Sequence, residues 1–514
     1  MTPSEQLETW LGRALPRILS QVCRDPNSAC YGCFDRNWWH YKVRDFPSII
    51  LQQGGYALWI AAQAFPEHKD AFTALAAASA RFWNDRATRR GAFEEYYPWE
   101  QGYPPLAFST LAVMKLAARG AVERNEVHPG ARIAAHQLTH RFESQAANQQ
   151  VAGLAALAWL QKVFPDLVDA AAFASLKQRT LALQHEEGWF EEYGGPDLGY
   201  LSVTMDCLWD LYDATQDETY IRAAEKALRF IGSFVPVTGA SIGMHNARNT
   251  DYILPYGIAR TEGGAPLLAR LYANIEDPDH FVHAIDDRYL CHYAGHSLLR
   301  GLSLMKESSQ AGSPATMREA LWVGSGHYLR YGETRAILSL RKGGGVSLYH
   351  GDAYASDFGW VVLAGGRQFV NHWWSPHWTW TRDGDGFTVA GQLVPHVEHL
   401  SSPLKHMLLR AGSFVLGRQL IAKLKGKLIF QSELSSYLFK RTVSFSANGA
   451  RVTDEITGLP PAAKVVPAPR ASKRHVASAD SGHREDMALV HGFRRDARES
   501  FSNGTFMAEI NYGF

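Results

Sequence analysis

The sequence is short of cysteine, of net charge and of long apolar runs, and each shortage closes off a class of protein. Five cysteines in 514 residues (23, 30, 33, 207 and 291) are few and odd in number, so a disulfide framework does not organise the fold. The net charge is +1, from 52 Lys and Arg against 51 Asp and Glu, which gives no whole-molecule field toward nucleic acid or an anionic membrane. No apolar run reaches the roughly eighteen residues that a membrane-spanning helix needs. The opening "MTPSEQLETWLGRALPRIL" lacks a basic stretch followed by an apolar one, so no signal peptide is read and a cytoplasmic location is expected.

What is present is aromatic. The chain carries 15 Trp, 21 Tyr and 21 His, within a soluble balance of 46% apolar and 20% charged residues. Flat side chains in this number suit large cores or surfaces that stack on sugar rings. The length predicts two domains. Through the first three hundred residues, Ala- and Leu-rich stretches such as "QQVAGLAALAWLQKVF" repeat apolar residues at steps of three and four, which predicts helices paired into hairpins. The loops between them are polar and aromatic and are expected to line a common cleft. "KESSQAGSPATMREA", from Lys306, reads as a linker. Beyond it, short alternating runs separated by Gly, Asp and Asn turns predict an antiparallel β-sandwich. "SFVLGRQLIAKL" and "KLIFQSE" belong to this β set, and the polar stretch from about Arg474 receives no element. The expected domains are 1–310 and 320–514.

Six constellations carry candidate chemistry. In "CYGCFDRNWWHYKVRDF", Cys30 and Cys33 have no second ligand pair at zinc-ribbon spacing and no βαβ context, so they read as loop packing. Trp38, Trp39, His40, Lys42 and Arg44 follow as a wall of aromatic platforms and cations suited to an anionic sugar. Tyr97, Glu100 and Tyr103 in "EEYYPWEQGYPP" either bind hydroxyls or form a Pro-rich entry to a helix. Asn148 and Gln149, opening an apolar helix, are either cap residues or amides for a carboxylate. Tyr200, after a Gly-rich turn, can act as a catalyst if a cation perturbs its hydroxyl. "GMHNARNTDYILPYG" packs His245, Asn246, Arg248, Asn249, Tyr252 and Tyr256 together, and Arg248 can clamp a carboxylate. In the β region, His350 and His372 are the candidates. His292 and His296 stand at helical spacing without an evident third metal ligand.

Taken together, these features resemble the heparinase II/III-like polysaccharide lyases. The resemblance implies an α+β chain, an incomplete helical-hairpin barrel (an α/α toroid) followed by an antiparallel β-sandwich. In that family an Asn or His neutralises the uronate carboxylate, a Tyr acts as base and often as acid, and a sandwich His completes the site. Asn148 and Tyr200 match the first two positions. His350-Gly351-Asp352 has the letters of the His-x-Asp strand motif, although the better-matching strand, read from Asp357, places Ala355 at the histidine. The resemblance implies an acidic polysaccharide or oligosaccharide as partner. It requires no cofactor and leaves room for a structural metal ion.

The expected activity is cleavage of a uronic-acid polysaccharide by β-elimination, with Asn148, Tyr200, His350, Arg248 and Tyr256 catalytic. It would fit handling of a polysaccharide during its synthesis. A uronosyl C5-epimerase shares the first proton transfer, and a non-catalytic polysaccharide binder fits the altered histidine motif. Oligomeric state is not legible in the sequence.

Overall fold

A computed structural model describes residues 1–89, 93–307, 318–396, 402–417, 419–420, 433–468 and 488–514. Most of the expected linker and most of "KLIFQSE" lie outside these residues. Six helices form an inner ring: Gln53–Ala64, Tyr103–Ala118, Ala147–Val163, Leu198–Thr215, Tyr256–Arg260 and Tyr293–Glu307. Each packs on the next, and the last packs back on the first. Outer helices such as Lys69–Thr88, Arg124–Thr139 and Thr219–Thr238 return the chain, so the inner helices run in one direction. Their composition follows from this position. Tyr103–Ala118 buries nearly every residue, because ring neighbours flank it and outer helices cover it. Alanine at many of these positions lets the backbones approach closely.

The second region holds three antiparallel sheets. One runs in the order Glu319–Trp322, His327–Arg330, Arg335–Ser339, Gly345–His350, Ala353–Asp357, Val490–His491. Its central strands are buried on both faces. Leu329 and Ile337 join the helical core, with Tyr349 packed against it, while Ala336, Leu338, Val346 and Leu348 join the sandwich core. A second six-stranded sheet covers that core, and a four-stranded sheet, centred on Trp360–Ala364 and Arg367–Val370, lies beside them. Arg441 is fully buried at the junction, bonded to Asp454 (2.6 and 2.7 Å) and Asp357 (2.9 Å).

Two expectations need correction. "SFVLGRQLIAKL" reads as strand in the sequence, but Ser413–Leu416 is the last turn of a helix spanning Pro403–Leu416. Its apolar residues recur at helical steps across the whole span, a period hidden when the segment is read from Ser413. The stretch beyond Arg474, to which the sequence pattern assigns no element, contains the long strands Arg494–Ser502 and Thr505–Gly513. The first lies at a sheet edge and is mostly exposed, so its charged residues mask the alternation.

Candidate functional site

The aromatic loops at the N-terminal ends of the inner helices meet around Tyr193. The loop before the Leu198–Thr215 helix folds onto the start of Ala147–Val163. Ala147 N–H donates to Glu191 O (2.9 Å), and Asn148 N–H donates to the buried Glu192 Oε1 (2.7 Å). Gln149 Nε2 donates to Tyr193 Oη (3.3 Å). Asp197 caps the next helix by accepting from Tyr200 N–H (3.1 Å), and it also accepts from the backbone N–H of Arg248 (3.2 Å) and Thr250 (3.4 Å). One carboxylate therefore sets both the Tyr200 helix and the Arg248 loop. Arg248 then lies over the Tyr193 ring, 4.1 Å from its centroid.

Arg248 is 8% exposed and has no carboxylate partner among the described residues, and its Nε is buried without an acceptor. The Asn148 carboxamide likewise makes no hydrogen bond among the described residues. Burial pushes the Glu192 carboxyl well above its ordinary range, with only the Asn148 N–H and Arg248 opposing. Burial also raises Asp197. Asp197 is thus engaged by backbone and hydroxyl donors, Glu192 is engaged at Oε1 while its Oε2 is buried without a hydrogen-bond partner among the described residues, and the anionic forms of both are disfavoured. Tyr200 is pushed well above a normal phenol by burial and by Tyr289 and Tyr252, against the pull of Arg248, so its resting form is the protonated one.

The β-sandwich completes this wall. His245 bonds Ser339 Oγ (2.6 Å) and Ser347 Oγ (2.9 Å) of the toroid-facing sheet. Lys342 Nζ donates to Met244 O and Asn246 O (both 2.6 Å) and to Asn249 Oδ1. Burial lowers the Lys342 ammonium to about 7, with Asp197 pulling up and Arg248 pushing down. Asn246 accepts from Leu198 N–H (2.8 Å) and donates to Thr250 O (2.8 Å). Asn249 takes a left-handed backbone, φ 59°. His245, Asn246 and Asn249 therefore build the loop that presents Arg248. Trp374 lies against Gly195, where a Cβ would come within 2.4 Å of the indole, so only glycine admits that ring beside Tyr193.

The sequence candidates fall into separate groups. Asn148, Gln149, Tyr200 and Arg248 are brought together, with Tyr252 behind Tyr200 at 6.4 Å between ring centroids and bonded to Tyr293. Tyr256 is not brought there. Its hydroxyl bonds Arg260 (2.7 Å) and Asp213 (3.4 Å) near the far end of the Leu198–Thr215 helix, about 20 Å from Tyr200 by helix rise. His350 is also elsewhere. On its strand Ser347 and Tyr349 face the toroid, so His350 points to the opposite face, bonds Thr334 (3.0 Å) and stacks on Phe514. His372 is buried in the β region.

Around the mouth, Trp38 packs on Phe82, Trp39 donates to Gln21 O (2.8 Å) and lies tilted against His40, Lys42 is exposed, and Arg44 pairs with the buried Asp35 (3.3 Å). Glu100 accepts from Glu95 and Tyr96 N–H (2.9 and 2.7 Å), Tyr103 donates to Gln150 (2.9 Å), and the Tyr97 hydroxyl is buried without a partner among the described residues. Cys30 and Cys33 are free thiols, both raised by burial. The described residues contain no cluster of three or more His, Cys, Asp or Glu able to hold a metal ion, and no helix long and apolar enough to cross a membrane.

Sequence reasoning missed Tyr193, Lys342 and Trp374. Tyr193 stands within one of the aromatic loops expected to line the cleft. Lys342, in "RKGGG", gives no local signal, because its partners are about a hundred residues away.

No protein-family model and no curated protein matches the sequence. Solved structures similar to this chain include chondroitin AC lyase from Streptomyces coelicolor A3, at TM-score 0.47 and 12% identity, covering 99% of this chain and 77% of that one. Heparinase III follows at TM-score 0.42 and 12% identity, with 80% of this chain spanning 63% of that one. Heparan sulfate lyase HepC from Pedobacter heparinus gives TM-score 0.37 and 10% identity, covering 98% and 83%. The likeness is one of fold.

Proposed function

We propose that this chain is a polysaccharide lyase that cleaves a uronic-acid-containing polymer by β-elimination at the Asn148–Tyr200–Arg248 wall. The observation that carries the reading is Arg248, a buried guanidinium without an anionic partner among the described residues, held on Tyr193 beside a tyrosine hydroxyl and an uncommitted amide. A sugar carboxylate is the anion that a planar guanidinium matches best.

The chemistry follows from the charges. Binding the carboxylate to Arg248, with the amides of Asn148 and Gln149 donating to it, lowers the energy of the enolate-like state formed when the C5 proton leaves. The C4–O4 bond then breaks, a C4=C5 double bond forms, and the leaving oxygen takes a proton. Tyr200 rests protonated, so its hydroxyl suits that last transfer. The base is the same Tyr200 after loss of its hydroxyl proton, an anion that Arg248 favours: it takes the C5 proton and then passes it to the leaving oxygen. Turnover is therefore expected to rise with pH through the alkaline range.

The test is incubation with polyuronides in heavy water, following ultraviolet absorbance and deuterium at C5 together. Absorbance that appears with the wild type and is lost in Tyr200→Phe, with polymer binding retained, supports the lyase. Deuterium uptake without absorbance means an epimerase. Binding with neither signal means a non-catalytic binder, the reading favoured by His350 facing away from the wall.

A further inference from the structure

Arg288 is a second guanidinium without an anion, at the mouth of the same cleft. It stands in the short helix Asp287–Leu290, is half-buried, and makes no hydrogen bond or ion pair among the described residues. Its Nε is buried without an acceptor. The charge of Arg288 acts on Glu95, Arg44 and His292, which places all three around it. None of them supplies the missing negative charge. Burial, and then Glu100, pushes the Glu95 carboxyl up to about 8 against Arg288 and Arg44, so at neutral pH it is mostly protonated. Arg44 is a cation, paired with Oδ2 of Asp35 (3.3 Å), which also accepts from Ser48 N–H (2.8 Å). Asp35 Oδ1 is buried without a hydrogen-bond partner among the described residues, and Arg288 does not reach it. His292 is held neutral, lowered to about 3 by burial and by Arg288.

The rings between the two cations set their separation. Tyr200 meets Tyr252 edge-on, Tyr252 lies 6.4 Å from Tyr289, and Tyr289 stacks on His292 at 4.9 Å and 6°. Arg248 and Tyr289 both act on the Tyr200 hydroxyl, the first favouring its anion and the second opposing it. Arg288 immediately precedes Tyr289 and has the mouth-loop residues Glu95 and Arg44 as neighbours, so it stands about one side chain beyond the wall. That reach suits the sugar next to the one held on Arg248. In a polymer that alternates uronates with neutral sugars, this neighbour has no carboxylate to offer.

We propose that Arg288 binds a second carboxylate, on the sugar adjoining the one whose carboxylate lies on Arg248, so that the preferred polymer carries uronates on neighbouring sugars. The proposal rests on the acidic-polymer reading of the Arg248 wall and is independent of whether the polymer is cleaved. A planar guanidinium gives a carboxylate two parallel hydrogen bonds, and a protonated Glu95 beside it does not repel the incoming anion.

The experiment is titration calorimetry of the full chain at neutral pH with two oligosaccharides of equal length. One has a uronate at every sugar, and the other alternates uronates with neutral sugars. The wild type should bind the first more tightly by more than about tenfold. Arg288→Gln should bring the two affinities within about twofold of each other, while Arg288→Lys, which keeps the charge and loses the fork, should keep part of the preference. Arg248→Gln should weaken both. Equal affinity of the wild type for the two oligomers, a comparison that needs no variant to fold, overturns the proposal. So does a preference that Arg288→Gln leaves intact, or a loss of equal size on both oligomers. Failure of the wild type to bind either oligomer overturns the acidic-polymer reading and this proposal with it.

Discussion

Replacing Lys342 by methionine tests how the sandwich holds the Arg248 loop. The wild-type ammonium is 4% exposed and donates to two carbonyls and to Asn249 Oδ1. Two effects oppose each other. Methionine leaves three acceptors without a donor, at roughly 1–3 kcal/mol each when buried. It also removes a buried charge whose pKa falls from 10.5 to about 7, a burden on the order of 5 kcal/mol at low pH. At pH 7 these two are opposed and of the same order, so the slope with pH is the discriminating quantity. Between pH 7 and 10.5 the folded state binds fewer protons at this site than the unfolded chain, so this contribution makes stability rise with pH. The burden is full below pH 7 and gone above 10.5. From pH 7 to 9 the wild type should gain about 2 kcal/mol that Lys342→Met does not. Urea unfolding of both proteins at the two pH values measures it. Parallel profiles would refute the claim that a buried, depressed ammonium ties the loop to the sheet.

Two further outcomes follow from the β region. Arg441→Met strands the buried Asp357 and Asp454 and should lower stability by about 3–5 kcal/mol, read as a fall in the urea midpoint; an unchanged midpoint would mean that the ion network does not hold the sheets together. His350→Ala loses a bond to Thr334 and a stack on Phe514, costs about 1 kcal/mol, and should leave polyuronide turnover within about twofold; a large loss of turnover would place His350 in the reaction after all.

The helical half was legible because its period is local. Apolar steps of three and four are visible in any window of "QQVAGLAALAWLQKVF", and the helix Ala147–Val163 follows them. Strands were legible where one face is buried and the other wet, as in Leu438–Ser446, whose exposure alternates residue by residue. Arg494–Ser502 was not, because at an edge little of either face is buried. The residues of the proposed site divide in the same way. Asn148, Tyr200 and Arg248 could be picked out because polar residues in Gly-rich or helix-opening contexts stand out against an apolar background. His350 misled because its motif letters say nothing about strand parity, and a single residue of register decides which face it takes. Lys342 and Trp374 were invisible because their roles rest on contacts across the domain junction.

That junction explains why the guanidinium can stay unpaired. A buried cation without a counterion costs several kcal/mol, and stacking on Tyr193 returns only about 1–2 of them. Asp197 already accepts from the Tyr200, Arg248 and Thr250 backbone, Glu192 accepts from Asn148 at Oε1 while burial favours its neutral form, and Lys342 with His245 pins the loop to the sheet. Each of these bonds fixes backbone or loop position and leaves the guanidinium itself unsatisfied. If the proposed function holds, the ligand that supplies the missing charge stabilises this framework, and a carboxylate is the group that a guanidinium matches with two parallel hydrogen bonds.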